Sequence, residues 1–513
     1  MLHHRPRIHA RAAAAVLLRA LPASWVCAWR LFVCLAAAYP MGIAHAQSGP
    51  LSGAQAGAPL PPPALEDWLL ANGLSHAAPG FEVRDLASGR LLYARNAGRA
   101  INPGSLMKLL PVTAALRVLG PDFRWHTAFY PSVPIIDGRL RGDLIMRGDG
   151  DPKLVIEDLT ELIARMRAQG LHEIAGDLVI DDGLFSLPPP GPAFDGQPNE
   201  PYNVYPSAGL LNFKSTEFQF TPHRRGVDIV LDPPLAGVTI RNRMRLRDGS
   251  CRDGANGARL AQRGTDARPE IVVSGYYARR CGRRSAYFAV LDHRQFAEAF
   301  FRAAWEAAGG VWSGHARYRR DALAALPAAQ RAAPWLVWES PRDLAAVVAD
   351  IHKFSNNVMA RMLMLRLGAE RRGPGIDEAG AREVVLAELA GAGFDVGEVR
   401  LDNGSGLSRD ARLTPRLLGD LLVRAPGPPP GGLAASLPIV GEDGTMRWRL
   451  RQSPVAGNAW IKTGSLDGVR AIAGYVRGRS GRVYTLVFIV NDPNARAALG
   501  VQDRLLEWLH DAG

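Results

Sequence analysis

Lysine is almost missing from this chain. Arginine supplies 56 of its 61 basic residues, and the only lysines are Lys108, Lys153, Lys214, Lys353 and Lys462. Cysteine is scarce too, with four in 513 residues. Neither C-x-x-C nor H-E-x-x-H occurs, so zinc has no support, and neither a metal nor a cofactor is expected. There is no G-x-S-x-G, which excludes the nucleophile elbow of one large group of serine hydrolases. No apolar run reaches the roughly 20 residues that span a bilayer. Repeats with a period of about 20–50 residues are lacking, which argues against a solenoid or propeller. What remains is a globular composition, 47% hydrophobic and 21% charged, on a chain too long for a single ordinary core.

The first 46 residues stand apart. Arg5, Arg7, Arg11 and Arg19 precede an apolar run from Val26 to Ala38, broken by Arg30, and the segment closes on Ala44-His45-Ala46. A basic head, a short apolar middle and a small-x-small end predict a signal peptide over 1–46, cut before Gln47, and hence a periplasmic location. Bulky Val33 before Cys34 argues against lipidation there. Export removes five arginines and no acids, lowering the net charge from +12 to about +7. That mild excess suits an acidic polymer, or peripheral association with an anionic membrane surface; nucleic acid is not expected as a partner. Cys27 and Cys34 leave with the signal. Cys251 and Cys281 remain as an even pair in an oxidising compartment, where a disulfide is the default.

Residues 47–64, rich in Gly, Pro, Ala and Ser, read as a flexible leader. Two apolar runs between Phe81 and Asn96 flank Ser88-Gly89 and predict a hairpin. After the break at Asn102-Pro103-Gly104, Ser105 to Leu119 predicts a helix that Pro111 should bend. From 124 to 291 short β-like segments alternate with Gly, Pro and Asp turns, a mostly β insertion divisible around the Pro-rich stretch 188–206. Helical patterns return at Phe296–Ala308 and Asp343–Arg366. Strands are expected at 459–463, 471–476 and 483–490, and a last helix at 499–510. These elements imply an α+β catalytic domain in two parts, 65–123 and 292–513, around that insertion.

Three short motifs lie along this framework. Ser105-Leu106-Met107-Lys108 is S-x-x-K at a helix start, Ser355-Asn356-Asn357 is S-x-N at a helix boundary, and Lys462-Thr463-Gly464-Ser465 is K-T-G-S on a strand. Each alone is weak, because a capped, solvated helix end also produces S-x-x-K. Together and in this order they are the signature of the serine β-lactamases and penicillin-binding proteins. Two of the five lysines fall at motif positions. Chemistry explains Lys108, since a guanidinium keeps its proton whereas a desolvated amine can act as a base.

Further segments narrow the resemblance: Gly148-Asp149-Gly150-Asp151-Pro152, Asp402-Asn403-Gly404-Ser405-Gly406-Leu407-Ser408-Arg409, and Gly441 to Thr445. From about Leu65 to His510 the chain resembles the low-molecular-mass class C penicillin-binding proteins, the D-alanyl-D-alanine carboxypeptidase/endopeptidase family S13. The long gap between the first two motifs is similar to that family as well. Gly104 and Glu442 depart from it, standing where Ala and an apolar residue are usual. The resemblance implies a transpeptidase-like antiparallel sheet with helices, a peptidoglycan-peptide substrate and β-lactams as covalent inhibitors. It implies Ser105 as nucleophile, Lys108 as its base and Ser355 as a proton relay. Lys462 and Thr463 would hold the terminal carboxylate, with Asn357 and Ser465 completing the substrate site and the Ser465 N–H serving the oxyanion. A β-lactamase of the same chemistry is disfavoured by the insertion, and a non-catalytic wall-binding scaffold by the intact Ser105, Lys108 and Lys462. Elsewhere bland readings prevail: Gly148–Pro152 as a turn rather than a calcium loop, His352 as a packing residue, and Arg279, Arg280, Arg283 and Arg284 as a solvated face. The loop Asp402–Arg409 either lines the cleft or supports it.

Overall fold

The computed structural model describes residues 63–74, 78–251, 257–266 and 268–513. The signal peptide expected at 1–46, and nearly all of the leader, lie outside the described residues. Among those that are described, no helix is long and apolar enough to cross a membrane.

The central sheet is built from the two ends of the chain. Its strands are β1 (Gly80–Asp85), β2 (Leu91–Arg95), β3 (Ala459–Leu466), β4 (Val469–Arg477) and β5 (Val483–Asn491), in the order β3-β4-β5-β1-β2. All four pairings are antiparallel. Around it lie α1 (Leu65–Ala71), α2 (Leu109–Val118), α3 (Leu344–Lys353), α4 (Asn357–Arg372), α5 (Glu378–Gly391), α6 (Pro415–Arg424) and α7 (Ala498–Ala512). Alternate residues of β4 and β5 enter different apolar layers. Ile472, Leu486, Phe488 and Val490 join Leu65, Leu69, Val501 and Leu505 of α1 and α7. Ala471, Ala473, Val487 and Ile489 join Leu417, Leu418 and Leu421 of α6. A strand covered on both faces reads as an unbroken apolar run, which is why these were visible in the sequence.

Four of these helices, α3 to α6, start at polar caps. Asp343 accepts from Ala346 N, Asn356 from Met359 N, Asp377 from Gly380 N and Thr414 from Leu417 N. The single helix suggested by 343–366 is therefore two, because Asn356 caps α4 and Ser355 beside it has φ +54°. Pro111 sits in the first turn of α2, where its missing N–H costs nothing, and the irregularity lies earlier as a 3₁₀ turn over Gly104–Lys108.

Between α2 and α3 lies the β-rich region. One five-stranded sheet runs in the order Ala316–Arg319, Leu178–Asp181, Leu144–Gly148, Arg124–Pro131, Leu336–Asp343. Strand pairing thus continues past 291, where the sequence placed the return to the catalytic part. Ala316–Arg319 runs parallel to Leu178–Asp181, and Leu336–Asp343 pairs with Arg124–Pro131, so the region's entry and exit are neighbours. Thr216–Pro222, Val227–Asp232 and Arg284–Phe288 form a second sheet, and Thr239–Arg247, Ala258–Thr265 and Arg268–Ala278 a third. Cys251 and Cys281 are joined in a disulfide. Arg279, Arg280, Arg283 and Arg284 are exposed. In the Gly148–Pro152 turn, Asp149 pairs with Arg366 of α4 at 3.1 Å and Asp151 accepts from Lys153 N at 2.8 Å.

Candidate active site

Ser105 rides on the 3₁₀ turn, pressed between two backbones. A Cβ on Gly464 would stand 2.5 Å from Pro103 O and 3.3 Å from Ser105 N, and one on Gly406 only 2.0 Å from Gly104 O. The edge of β3 and the loop 402–409 therefore approach the turn more closely than any side chain permits. Gly104 itself has φ +53°, and a Cβ there would lie 3.2 Å from Ser465 N. Asn102 ties the same parts together. Its amide donates to Ser408 O at 2.9 Å while its carbonyl accepts from Gly104 N at 2.9 Å.

Lys108, one 3₁₀ turn along, is fully buried. Its Nζ lies 3.1 Å from Ser105 Oγ, 2.7 Å from Asn357 Oδ1 and 2.6 Å from Ser405 O. Burial, with the second cation Lys462 nearby, holds its pKa well below the ordinary lysine value. Asn357 Nδ2 donates to Tyr202 O of the β-rich region at 3.1 Å, so both ends of that amide are engaged within the protein.

Lys462 is buried as well and donates to Ser355 Oγ at 2.9 Å and to Thr463 O at 2.8 Å. Burial lowers its pKa to about 7. Thr463 Oγ1 donates to Thr445 Oγ1 at 2.8 Å. Behind them the Gly441–Thr445 segment is braced by an ion pair between Lys353, at the end of α3, and Asp443.

These groups surround a cleft of about 290 Å³ whose wall includes Ser105, Ser355, Thr445, Arg449, Thr463 and Ser465. The structure therefore brings Ser105, Lys108, Ser355, Asn357, Lys462, Thr463 and Ser465 into one place. Ser105, Ser355, Thr463 and Ser465 face the cleft, while Lys108, Asn357 and Lys462 stand behind it. His352 is not among them. Its Nδ1 lies 2.8 Å from Ser436 Oγ, and burial beside the two lysines holds its pKa well below the ordinary histidine value. Cys251 and Cys281 lie in the β-rich region. The residues that sequence reasoning passed over are Asn102, read only as a chain breaker, and the Ser405 carbonyl, Thr445 and Arg449. Ser405 and Thr445 sat inside segments already singled out, but a backbone oxygen carries no motif of its own.

The family model described as the D-Ala-D-Ala carboxypeptidase 3 (S13) family matches residues 63–512. The chain is 32% identical over 459 residues to the D-alanyl-D-alanine carboxypeptidase of Actinomadura sp. (strain R39), covering 86% of this chain and 82% of that one. It is 25% identical over 421 residues to the D-alanyl-D-alanine carboxypeptidase DacB of Haemophilus influenzae, covering 80% and 85%. The crystal structure of penicillin binding protein 4 (dacB) from Haemophilus influenzae shares the fold, with a TM-score of 0.67 at 21% identity over 87% of this chain and 100% of that one.

Proposed function

The chain belongs to the D-Ala-D-Ala carboxypeptidase 3 (S13) family, and from that membership we propose that Ser105 cleaves the D-Ala-D-Ala end, or the D-Ala–diamino acid cross-link, of peptidoglycan peptides through an acyl-enzyme. One observation carries the reading. The Lys108 amine touches two carbonyl oxygens, of Asn357 and Ser405, and one hydroxyl, of Ser105. Carbonyl oxygens only accept. A neutral amine spends its two hydrogens on them and turns its lone pair to the Ser105 hydroxyl, which then donates to it.

The steps follow from that arrangement. Ser105 Oγ attacks the carbonyl carbon of the penultimate D-Ala as its proton passes to Lys108 Nζ. Negative charge on the carbonyl oxygen meets the backbone N–H groups of Ser105 and Ser465. The C–N bond then breaks, and a proton relayed through Ser355 Oγ, against which Lys462 Nζ rests, reaches the leaving nitrogen. Thr463, with the charge of Lys462 behind it, holds the carboxylate of the departing residue. Water cleaves the ester and returns the proton to Ser105. A β-lactam enters the same path through its ring amide, but its amine stays tethered and obstructs the water, so the penicilloyl enzyme is long-lived.

Labelled penicillin should attach to the peptide containing Ser105, and Ser105→Ala should abolish labelling; label on another serine overturns the assignment. Lys108→Arg keeps the charge but loses the base, and should slow acylation by about 10²–10⁴. Near-normal acylation by folded Lys108→Arg protein would leave Lys108 only an electrostatic part. Penicillin turnover far faster than D-Ala release would make the enzyme a β-lactamase instead.

The signal peptide read over 1–46 and the substrate together support an exported, periplasmic enzyme, its mild basic excess suited to the anionic wall or membrane surface. Strand pairing supports taking the insertion as 124–343, between catalytic parts 65–123 and 344–513.

A further inference from the structure

The segment Arg447-Trp448-Arg449-Leu450-Arg451 continues the cleft wall beyond Thr445. Arg449 turns inward. Its guanidinium donates to Asp503 Oδ1 at 3.0 Å and to Gln502 Oε1 at 3.2 Å, and it lines the same cleft as Ser105 and Thr463. Trp448 turns outward and is 72% exposed, the most of any large apolar side chain among the described residues. The guanidinium carbons of Arg447 and Arg451 lie 5.5 Å and 5.0 Å from the centre of its rings. Both arginines are exposed, and neither is paired with a carboxylate of the described residues. Trp448, Leu450, Arg451 and Ser453, with Glu507 opposite, border a hollow of about 710 Å³. An indole left in water between two unpaired cations contributes nothing evident to folding, whereas it suits a flat, anionic ligand.

We propose that Trp448, Arg447 and Arg451 form a subsite for the second strand of a cross-linked peptide, on the leaving side of the bond that Ser105 cleaves. The inference rests on the function proposed above and deepens it. Thr463 and Lys462 hold the carboxylate next to the leaving nitrogen, so whatever extends past Thr463 belongs to the departing group. Thr445 touches Thr463. Trp448 is three residues further on, which places its Cα within about 11 Å of that of Thr445. A departing D-Ala has only a methyl side chain and ends short of this platform. In a cross-link the departing residue is the D-centre of a diamino acid. It presents the same carboxylate to Thr463, but its side chain runs on into a second peptide that bears further carboxylates. Planar amide groups of that strand stack on the indole, and its carboxylates meet the two guanidinium forks. Among the described residues Glu507 balances Arg451 along the hollow, and Arg447, 5.5 Å from the indole, adds a second cation beside it.

The test compares two substrates on the mature enzyme: a monomeric pentapeptide ending in D-Ala-D-Ala, and a dimer joined through D-Ala and the diamino acid. In Trp448→Ala and in the Arg447→Ala/Arg451→Ala double variant, kcat/KM for the dimer should fall about tenfold or more. D-Ala release from the monomer and the rate of penicillin acylation should be unchanged. Equal loss on both substrates, or no loss on the dimer, overturns the subsite. Wild-type enzyme that trims the monomer yet never opens the dimer overturns the subsite alone. An enzyme that acts on neither and takes no penicillin overturns the parent function and the subsite with it. A last arm measures binding to vesicles of anionic phosphatidylglycerol. Vesicle binding that is lost in Trp448→Ala while dimer cleavage persists would make the platform a membrane contact and refute the proposal.

Discussion

Lys108 and Lys462 are both withdrawn from water, but the proposed mechanism asks opposite things of them. Lys108 has to be neutral to receive the Ser105 proton, and burial beside a second cation favours that form. Lys462 has to be charged to favour a carboxylate, and its pKa of about 7 leaves it part-protonated at neutral pH. Activity should therefore fall at both ends. Below the depressed pKa of Lys108 the amine gains a proton and loses its lone pair, so acylation slows in acid. Above about 7 Lys462 loses its proton in the free enzyme, and kcat/KM for carboxylate-ended peptides should decline as pH rises. Measuring kcat/KM against pH for a D-Ala-D-Ala peptide and for its C-terminal amide separates the two. The amide should keep the acid limb and lose the alkaline one. An alkaline limb that persists with the amide would assign it to another group. A lysine at 108 fits this chemistry, because arginine would hold its proton throughout the range.

The 3₁₀ turn that carries Ser105 is an element defined by its neighbours. Its own sequence is apolar and helical in pattern, which is why 105–119 predicts one helix. Two glycines on other elements let the neighbouring backbones close over the turn. Gly406 has φ +80°, and an added Cβ would meet Gly104 O at 2.0 Å and Ser105 Cα at 3.1 Å. Gly406→Ala should therefore destabilise the fold by more than about 1 kcal/mol and displace the nucleophile. Thermal unfolding and the penicillin acylation rate would report these separately. Acylation at the wild-type rate would mean that the loop yields without moving the turn. The S-x-N motif shows the opposite case, for its middle residue is also the cap of α4, so local chemistry placed Ser355 at a helix boundary in advance.

Across the whole molecule, the β-rich region meets the site where Tyr202 O accepts from Asn357 Nδ2, beside a hollow of about 800 Å³ that Lys153, Glu200 and Tyr287 share with Ser355 and Asn357. The disulfide is internal to that region, closing a separation of 30 residues between Cys251 and Cys281. On the chain-entropy account such a loop is worth about 3–4 kcal/mol. Cys251→Ser/Cys281→Ser should lower the thermal midpoint yet leave penicillin labelling of Ser105 intact at temperatures where the protein stays folded. Two free thiols in protein purified from the exported fraction would refute the bridge. Labelling that fails in a folded double variant would show that the region supports the site more widely than through Tyr202.

The amino-acid sequence determined what is chemically local. It set the three motifs and their order, the caps that begin the helices, and the strands whose two-sided burial makes them apolar from end to end. It also placed a lysine, rather than one of the far commoner arginines, in the S-x-x-K motif. Tertiary structure decided everything that depends on distant neighbours. Lys108 meets Asn357 from 249 residues away and the Ser405 carbonyl from 297. A lysine becomes a base only when those contacts and the loss of water surround it. The pairing of Leu336–Asp343 with Arg124–Pro131 was hidden for the same reason, since a strand bears no mark of the partner it will pair with. Trp448 was an ordinary tryptophan in sequence; only the tertiary structure, which turns Arg449 beside it inward, left the indole facing water.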